Sequence, residues 1–388
     1  MEKFIIENGV LKKYIPDGDR NVVIPSDVTT IGKYAFDKCS EITTLKIPNG
    51  VTVIEEFAFR ECSSLLNIVI PEGVTEIEEG AFENCHMLSK VILPKTLYKI
   101  GSYAFGNCYM LSDIALPKGL QKIEDSTFWL CRSLKSIVIP NGTKEIENSA
   151  FEGCEKLEDI TLPSTLTIIG SNAFSFCSSL NNIEIPKSVS EIGIFAFSST
   201  PFMKKQKSEL VIINNVLLKY NGRKTNIEIP QGITQIAAAS FYCCRNIRRI
   251  IIPEGVIQID ENAFAGCKKL EEIYIPETVT EIGVQAFEGC ISLKKAIIRS
   301  GVTEIKEMAF SNCKSLSELI LSEGLKKIGD GAFMDCVHLK KVIIPNSVEE
   351  IGNFAFGNCK RLSDVTLPEN PIKTYRNSFA NTQYKSVN

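Results

Sequence analysis

The segment Cys62-Ser-Ser-Leu-Leu-Asn-Ile-Val-Ile-Pro-Glu-Gly-Val-Thr-Glu-Ile-Glu-Glu-Gly-Ala-Phe-Glu-Asn-Cys85 decides the fold. Leu65, Ile68 and Ile70 form the pattern L-x-x-I-x-I, which predicts a short strand with two side chains directed inward. Pro71 ends this strand, because proline has no N–H group to donate to a sheet. The first third of the segment therefore predicts one half-buried strand of a larger sheet.

The rest of the segment predicts how the chain returns. Glu72-Gly73 is typical of a turn, and Val74 and Ile77 predict a second extended stretch. Residues 78–85 predict one helical or 3₁₀ turn that brings the chain back to the next cysteine. The segment thus contains one complete coil of chain, hereafter called a rung.

The same segment recurs along most of the chain with a period of 23 residues. Phenylalanine precedes each periodic cysteine by three residues, and fifteen such Phe positions occur, of which two are followed by Thr200 and Thr382 instead of Cys. A strict period of this length predicts a solenoid, in which each rung stacks only on its neighbours. The periodic cysteines are Cys39, Cys62, Cys85, Cys108, Cys131, Cys154 and Cys177, followed after a gap by Cys244, Cys267, Cys290, Cys313, Cys336 and Cys359.

Composition excludes several classes of partner. The 388 residues carry a formal net charge of −3, which gives no reason to expect binding to nucleic acid. No apolar run approaches the length of about 18 residues that a membrane span requires, so we expect no membrane insertion. The first nine residues reach charge and a turn too early for a signal peptide.

The repeat L-x-x-[IV]-x-[IL]-P-x-x-[VL]-x-x-I-x-x-x-A-F-x-x-C closely resembles the BspA-like leucine-rich repeat family. This resemblance implies a right-handed leucine-rich-repeat solenoid with short parallel β-strands, helical or 3₁₀ turns and about 15 rungs of 23 residues. It also implies a bacterial surface or secreted protein that acts in adhesion and protein binding. The family supplies no catalytic residues, and we expect no cofactor.

Interruptions of the repeat predict the domain organisation. We expect an N-terminal β-hairpin cap at 1–25, a first repeat array at 26–197 and an irregular repeat at 198–229 that contains a second hairpin-like segment. A second array at 230–367 and a degenerate C-terminal cap at 368–388 complete the chain. The second hairpin is predicted because 211–220 resembles 5–14 in sequence.

The 14 cysteines first suggest disulfides or a metal site. Thirteen of them occupy the repeat register, so they cannot all pair with one another, and no C-x-x-C motif occurs. We predict a buried column of free thiols, because unpaired cysteine is among the most buried residue types. Cys243 lies outside the register and is predicted to be exposed.

The sequence offers little material for catalysis. Its two histidines, His86 and His338, are about eleven rungs apart and cannot share a site. One column of charged residues alternates in sign, which predicts a cross-strand charge ladder on the surface. This column consists of Arg249, Glu272, Lys295, Glu318, Lys341 and Asp364.

Two apolar stripes are candidate binding sites. The residue between the two inward positions of each strand should face solvent, yet it is apolar over several consecutive rungs. The stripes run from Val69 through Ile92 to Val138 and from Ile251 through Tyr274, Ile297 and Ile320 to Ile343. Alternatively, these residues could be apolar because of their β-propensity, or because another layer of structure covers them.

A second candidate patch lies on the returning turns of three consecutive rungs. It contains His86-Met87, Tyr109-Met110 and Trp129-Leu130. Aromatic and Met side chains are enriched in interfaces. Ordinary loop packing is the alternative explanation for this cluster.

We therefore predict a non-enzymatic binding module with a protein ligand, such as a host extracellular-matrix or cell-surface protein, and expect a monomer. The predicted location is the cell surface or secreted. An intracellular interaction scaffold in the cytoplasm is the alternative, since no signal peptide is visible. A β-helix-type carbohydrate-active enzyme would need carboxylates converging outside the repeat register, and the sequence contains no such group.

Overall fold

The structure of the chain is a computed structural model that describes residues 3–385. The predicted caps at 1–25 and 368–388 therefore include a few residues, 1–2 and 386–388, that lie outside the described part. The chain divides between Gln206 and Lys207 into two compact units. Both units are built from the same parts in the same order, beginning with a hairpin and continuing as a stack of rungs.

The strands are short, as the Pro-punctuated repeat predicts. In the first unit they are β1 (Phe4–Glu7), β2 (Val10–Tyr14), β3 (Asn21–Val23), β4 (Thr30–Ile31), β5 (Thr44–Lys46), β6 (Val53–Ile54), β7 (Asn67–Val69), β8 (Glu76–Ile77), β9 (Lys90–Ile92), β10 (Lys99–Ile100), β11 (Asp113–Ile114), β12 (Lys122–Ile123), β13 (Ser136–Val138), β14 (Glu145–Ile146), β15 (Asp159–Thr161), β16 (Ile168–Ile169) and β17 (Glu191–Ile192), followed by helix α1 (Pro201–Lys205).

In the second unit the strands are β18 (Leu210–Ile213), β19 (Val216–Tyr220), β20 (Asn226–Glu228), β21 (Gln235–Ile236), β22 (Arg249–Ile251), β23 (Gln258–Ile259), β24 (Glu272–Ile275), β25 (Glu281–Ile282), β26 (Lys295–Ile298), β27 (Glu304–Ile305), β28 (Glu318–Leu321), β29 (Lys327–Ile328), β30 (Lys341–Ile343), β31 (Glu350–Ile351), β32 (Asp364–Thr366) and β33 (Lys373–Thr374).

Each unit has two faces of parallel strands. Face A contains the strands of the L-x-x-I-x-I pattern, which are odd-numbered from β3 to β15 and even-numbered from β20 to β32. Face B contains the remaining two-residue strands of the stack, each of which ends in the recurrent Ile except β33, which ends in Thr374. Strands pair in register one period apart, as Ile68 does with Val91. The predicted leucine-rich-repeat solenoid is therefore confirmed.

The turn segment between face B and the cysteine differs from a helix. Its backbone bonds span three residues, from Ala81 N–H to the Glu78 carbonyl at 3.3 Å and from Cys85 N–H to the Phe82 carbonyl at 3.2 Å. Gly80 and Asn84, however, have φ values of 58° and 62°, and left-handed residues interrupt helical propagation. The predicted helical or 3₁₀ turn is thus a run of tight turns with two left-handed residues in every rung but the last, where only Asn381 has a positive φ.

A column of stacked phenylalanine rings forms the centre of the first unit. Successive rings lie 5.0–5.7 Å apart and nearly parallel from Phe36 to Phe197. Tyr14 of the hairpin stacks on Phe36 at 5.1 Å, and Phe202 of α1 meets Phe197 edge-on at 5.3 Å. Such ring contacts add to the free energy gained from burial alone. The first unit is consequently closed by an aromatic residue at both ends.

The second unit repeats this arrangement. Tyr220 of its hairpin packs against Phe241 at 5.3 Å, and the stack continues to Phe379. Tyr384 then meets Phe379 edge-on at 5.2 Å, five residues after the last Phe, as Phe202 does in the first unit. Each unit therefore has its own closed core.

The hairpins supply the first strand of each stack. In the first unit β1 and β2 pair antiparallel, and β2 pairs parallel with β4 on face B. Asn8 and Gly9 have φ values of 51° and 77°, as a two-residue hairpin turn requires. In the second unit β18, β19 and β21 pair in the same way. The first rung of each unit is thus covered by a folded segment of its own chain.

The periodic thiols form a buried column, and all cysteines are free. The Cys62 Sγ donates to the Phe36 carbonyl of the preceding rung at 3.3 Å, and the same bond recurs up to Cys177 and again from Cys267 to Cys359. Removal from water raises the pKa of Cys177 to about 12 and that of half-buried Cys244 to about 11. Cys243 is exposed, as predicted.

Threonine replaces cysteine where the column ends, for a reason that the sequence did not reveal. The Thr200 Oγ1 donates to the carbonyl of Phe197 in its own rung at 2.6 Å, and Thr382 does the same to Phe379 at 2.8 Å. These carbonyls belong to the last Phe of each unit, so no thiol from a following rung reaches them. The hydroxyl supplies the missing donor. Thr200 also accepts the Met203 N–H at 3.1 Å and so caps α1.

The proline column limits the length of the face A strands. Arg299 and Ser322 stand where most rungs have Pro, and the Ser322 N–H donates to the Ile298 carbonyl at 3.1 Å. Strands β26 and β28, which end directly before these two positions, extend to four residues, and so does β24, whose last residue pairs with the last residue of β26. This local lengthening shows that the missing proline N–H ends the other strands.

We predict that Thr200→Val destabilises the first unit, whereas Thr382→Val, which lies in the second unit, leaves the first unit as stable as before. The first substitution removes a hydrogen bond and a helix cap, about 2 kcal/mol together, whereas the second removes one bond, about 1 kcal/mol. The only tryptophan, Trp129, lies in the first unit, so its fluorescence reports that unit during guanidinium unfolding of the full chain.

The Trp129 transition should move to lower denaturant in Thr200→Val and stay in place in Thr382→Val. Thr200→Ser retains the hydroxyl and serves as the matched control. Equal shifts for Val and Ser at position 200 would show that the hydroxyl bond contributes nothing.

We also predict that only Cys243 reacts rapidly with Ellman's reagent in the native chain at pH 8. Burial keeps the column thiols protonated and inaccessible, and Cys244 should follow slowly. Denaturation should then release all 14 thiols. Cys243→Ser should abolish the fast phase, and a fast phase of several equivalents in the native protein would contradict the buried column.

Candidate interaction surface

Face A of the first unit presents an apolar stripe to solvent. Val69, Ile92 and Val138 lie at the outward position of strands β7, β9 and β13, and each is about half exposed or more. Val69 and Ile92 are direct neighbours across the ladder. The structure thus brings the predicted residues of this stripe together on one face, with small Ala115 between Ile92 and Val138 in the register.

Face A of the second unit carries a longer stripe. Ile251, Tyr274, Ile320 and Ile343 are exposed, whereas Ile297 is half-buried between its neighbours. Tyr274 pairs with Ile297 and Ile297 with Ile320, so these side chains form a contiguous column. The five predicted residues of this stripe therefore share one surface.

Paired charges border this second stripe. Lys295 lies 2.6 Å from Glu318, and Lys341 lies 3.0 Å from Asp364, each pair joining adjacent rungs. The hydrogen bond to Glu318 raises the pKa of Lys295. These contacts form part of the predicted charge ladder. Because the charges neutralise each other, they set the register without giving the face a net charge.

Shallow grooves occur where the ladder of face A is interrupted. In the second unit the sheet is divided between β28 and β30, and a groove lies there beside Ile320 and Ile343, bordered by Glu318 and Lys341. In the first unit a second groove follows β15 and is lined by residues from Asp159 to Lys187. The groove in the second unit combines an apolar floor with charged rims.

The second predicted patch is divided into two contacts. His86 stacks on Tyr109 at 4.7 Å, and the Arg132 guanidinium lies 5.0 Å from the Tyr109 ring centroid. Trp129 instead meets Tyr103 edge-on at 6.3 Å. Tyr109 follows a cysteine directly whereas Trp129 follows a phenylalanine, so the two rings occupy different columns of the turn.

The remaining patch residues are placed by the left-handed turn. Met110 is exposed, and Leu130 has a φ of 56°. The Leu130 side chain packs over Gly153 of the next rung, where a Cβ would lie 2.4 Å from the Leu130 Cδ2. Leu130 is therefore engaged in packing between rungs, which agrees with the alternative of ordinary loop packing.

Sequence reasoning missed an aromatic and cationic cluster on the first turns. Tyr34 and Phe57 stack at 5.3 Å, and the Arg60 guanidinium lies over both rings. Arg60 also donates to both oxygens of Asp37, which raises the pKa of Arg60. The sequence does contain a signal for this cluster. The position two residues before the periodic Phe carries a large aromatic side chain in several rungs, as at Tyr34, Phe57 and Tyr103. These groups satisfy one another and leave no free charge for a ligand.

The described part of the chain offers neither a metal-binding cluster nor a membrane-spanning helix. Within residues 3–385, no group of three or more His, Cys, Asp or Glu side chains is arranged to hold a metal ion. In the same part of the chain, no helix has the length and apolarity needed to cross a membrane.

Comparison with solved structures finds several leucine-rich repeat proteins. A leucine rich cell surface protein from Faecalibacterium prausnitzii is 25% identical, with 99% of this chain and 96% of that chain covered and a TM-score of 0.43. A leucine-rich repeat protein from Eubacterium ventriosum is 23% identical, with 99% and 93% covered and a TM-score of 0.45. The leucine-rich repeat protein of T. pallidum is 30% identical over 44% of this chain and 82% of that chain, with a TM-score of 0.42.

No curated protein matches the chain. The family described as BspA type leucine rich repeat region (6 copies) matches residues 19–134, 99–216, 205–313 and 284–388. These ranges overlap and together cover the sequence from residue 19 to its last residue. Together with the stacked rungs and the periodic Phe and Cys columns, this match shows that the chain belongs to the BspA-type leucine-rich repeat family.

Proposed function

We propose that the chain is a non-enzymatic protein-interaction module that binds its partner through face A. Membership in a family of leucine-rich repeat proteins supports a role in protein interaction. A solenoid places successive strands side by side, so that one face offers an extended contact surface. The ligand of such a surface is a protein, and no cofactor takes part.

The apolar stripe of the second unit is the observation that carries this proposal. Solvent-facing positions of a sheet normally favour polar side chains, yet Ile251, Tyr274, Ile320 and Ile343 are exposed together on one face. Contiguous exposed apolar patches mark interaction sites. The groove beside Ile320 and Ile343 adds a concave site in which a partner side chain can be buried.

A role at the cell surface or in secretion follows from what the family resemblance implies. In this setting the module is an adhesin, and its partner is a host extracellular-matrix protein or another surface protein. An intracellular scaffold would use the same face with a cytoplasmic partner. Pull-down from host extracellular, bacterial surface and cytoplasmic fractions with the full chain distinguishes these settings, because the partner comes from different fractions.

We predict that Ile320→Glu weakens binding to the captured partner by about tenfold or more. Burying an isoleucine side chain contributes about 1.5–3 kcal/mol, and the substitution also places a charge in the contact. Binding is measured by surface plasmon resonance with the full chain. Val138→Glu tests the stripe of the first unit in the same way.

Ile257→Glu is the matched control, because Ile257 is equally exposed but precedes β23 on face B. Its affinity should equal that of the unmodified chain. If Ile320→Glu folds and binds as tightly as Ile257→Glu, the assignment of the site to face A is wrong.

A further inference from the structure

One edge of the second unit concentrates positive charge. It is formed by the first and second residues after each periodic cysteine, from Cys244 to Cys359. Six of these twelve positions are Lys or Arg, and none is Asp or Glu. The six cations, hereafter the basic ridge, are Arg245, Lys268, Lys269, Lys314, Lys360 and Arg361.

The cations of the basic ridge are exposed and lack acidic partners. All six side chains are accessible to solvent. In the part of the chain that the structure describes, no carboxylate oxygen lies within 4.0 Å of any of them. Other cations of the same unit differ, since Arg248 lies 3.0 Å from Glu271 and Lys327 lies 3.0 Å from Glu304. The ridge therefore carries charge that the protein itself does not compensate.

The corresponding edge of the first unit shows that the repeat does not require this charge. After its cysteines the same positions hold two cations, Arg132 and Lys156, and two carboxylates, Glu41 and Glu155. Arg132 also lies 3.4 Å from Glu155. The two edges share one backbone architecture but differ in charge. The basic ridge is therefore a property of the second unit alone, and the fold does not explain it.

The spacing of the ridge suits an extended partner. Rungs are about 4.8 Å apart, so Lys268, Lys314 and Lys360, on every second rung, follow one another at about 10 Å. The ridge is only two residues wide and follows the direction of stacking. Ser292 and Ser315 lie between the cations and offer hydroxyl groups. A single linear chain with regularly spaced negative charges and many hydroxyl groups matches this pattern.

We propose that the basic ridge binds a linear acidic polysaccharide. Cations arranged along one line attract a polyanion and accelerate its association. Single-stranded nucleic acids fit less well, because their binding sites stack bases on aromatic side chains and the twelve positions contain no Phe, Tyr or Trp. The ridge is distinct from the face A stripe, so this site goes beyond the proposed protein-binding function.

The test uses the full chain and immobilised heparin as the sulfated probe, with polygalacturonate as the carboxylated probe. Combined Lys268→Ser, Lys314→Ser and Lys360→Ser should weaken binding by about tenfold or more, because each lost ionic contact also lessens counterion release. Binding of the unmodified chain should fall steeply as salt rises. Ile320→Glu should bind both probes normally, which separates this site from the one on face A.

The matched control combines Lys306→Ser, Lys326→Ser and Lys327→Ser, which removes the same charge from paired lysines elsewhere in the second unit. Its affinity should equal that of the unmodified chain. Circular dichroism confirms that both triple variants fold. The proposal is overturned if the unmodified chain binds neither probe at physiological salt, or if the two triple variants bind alike. Tighter binding to single-stranded DNA or to phosphatidylglycerol vesicles than to either polysaccharide would also overturn it.

Discussion

The fold depends on the stacking of each residue on its own copy 23 positions away. Phe rings about 5 Å apart fill the centre, and the Phe59 N–H donates to the Ala81 carbonyl of the next rung at 2.8 Å. The ring contacts require that a side chain tolerate its own copy as a neighbour, which favours flat rings, β-branched chains and small thiols. Because every rung contacts only adjacent rungs, the core extends without a second layer.

This same constraint makes the ends of the stack special. A terminal rung has one neighbour missing, so its ring and its carbonyl lose the partners that interior rungs have. Tyr14 and Tyr220 cover the first Phe of each unit, and Phe202 and Tyr384 cover the last. Thr200 and Thr382 supply hydroxyl donors at the same places. The chain therefore contains two separate cores, and the same kinds of aromatic and hydroxyl contact close each of them.

Sequence periodicity could predict the structure at positions that carry the same residue in every rung. It predicted much less at positions where the residue differs between rungs. It predicted the strands, the buried Phe and Cys columns and the exposure of Val69 and Ile343, because those depend only on register. It could not predict the left-handed turn residues, since Leu130, Phe176 and Cys243 have side chains that rarely adopt positive φ. It grouped Trp129 with Tyr109, although pairing between unlike residues is decided by their offset within the turn. The uncompensated charge of the basic ridge likewise emerged only when the ion pairs were known.

The thiol column gives the molecule an internal scale of local stability. Thirteen chemically similar groups lie at equal intervals along the two cores, twelve of them buried, and each is shielded only while its own rung stays closed. Rungs near an end, such as that of Cys39, open at lower free energy than interior ones. The rate at which each cysteine is modified therefore reports the free energy needed to open the rung that contains it.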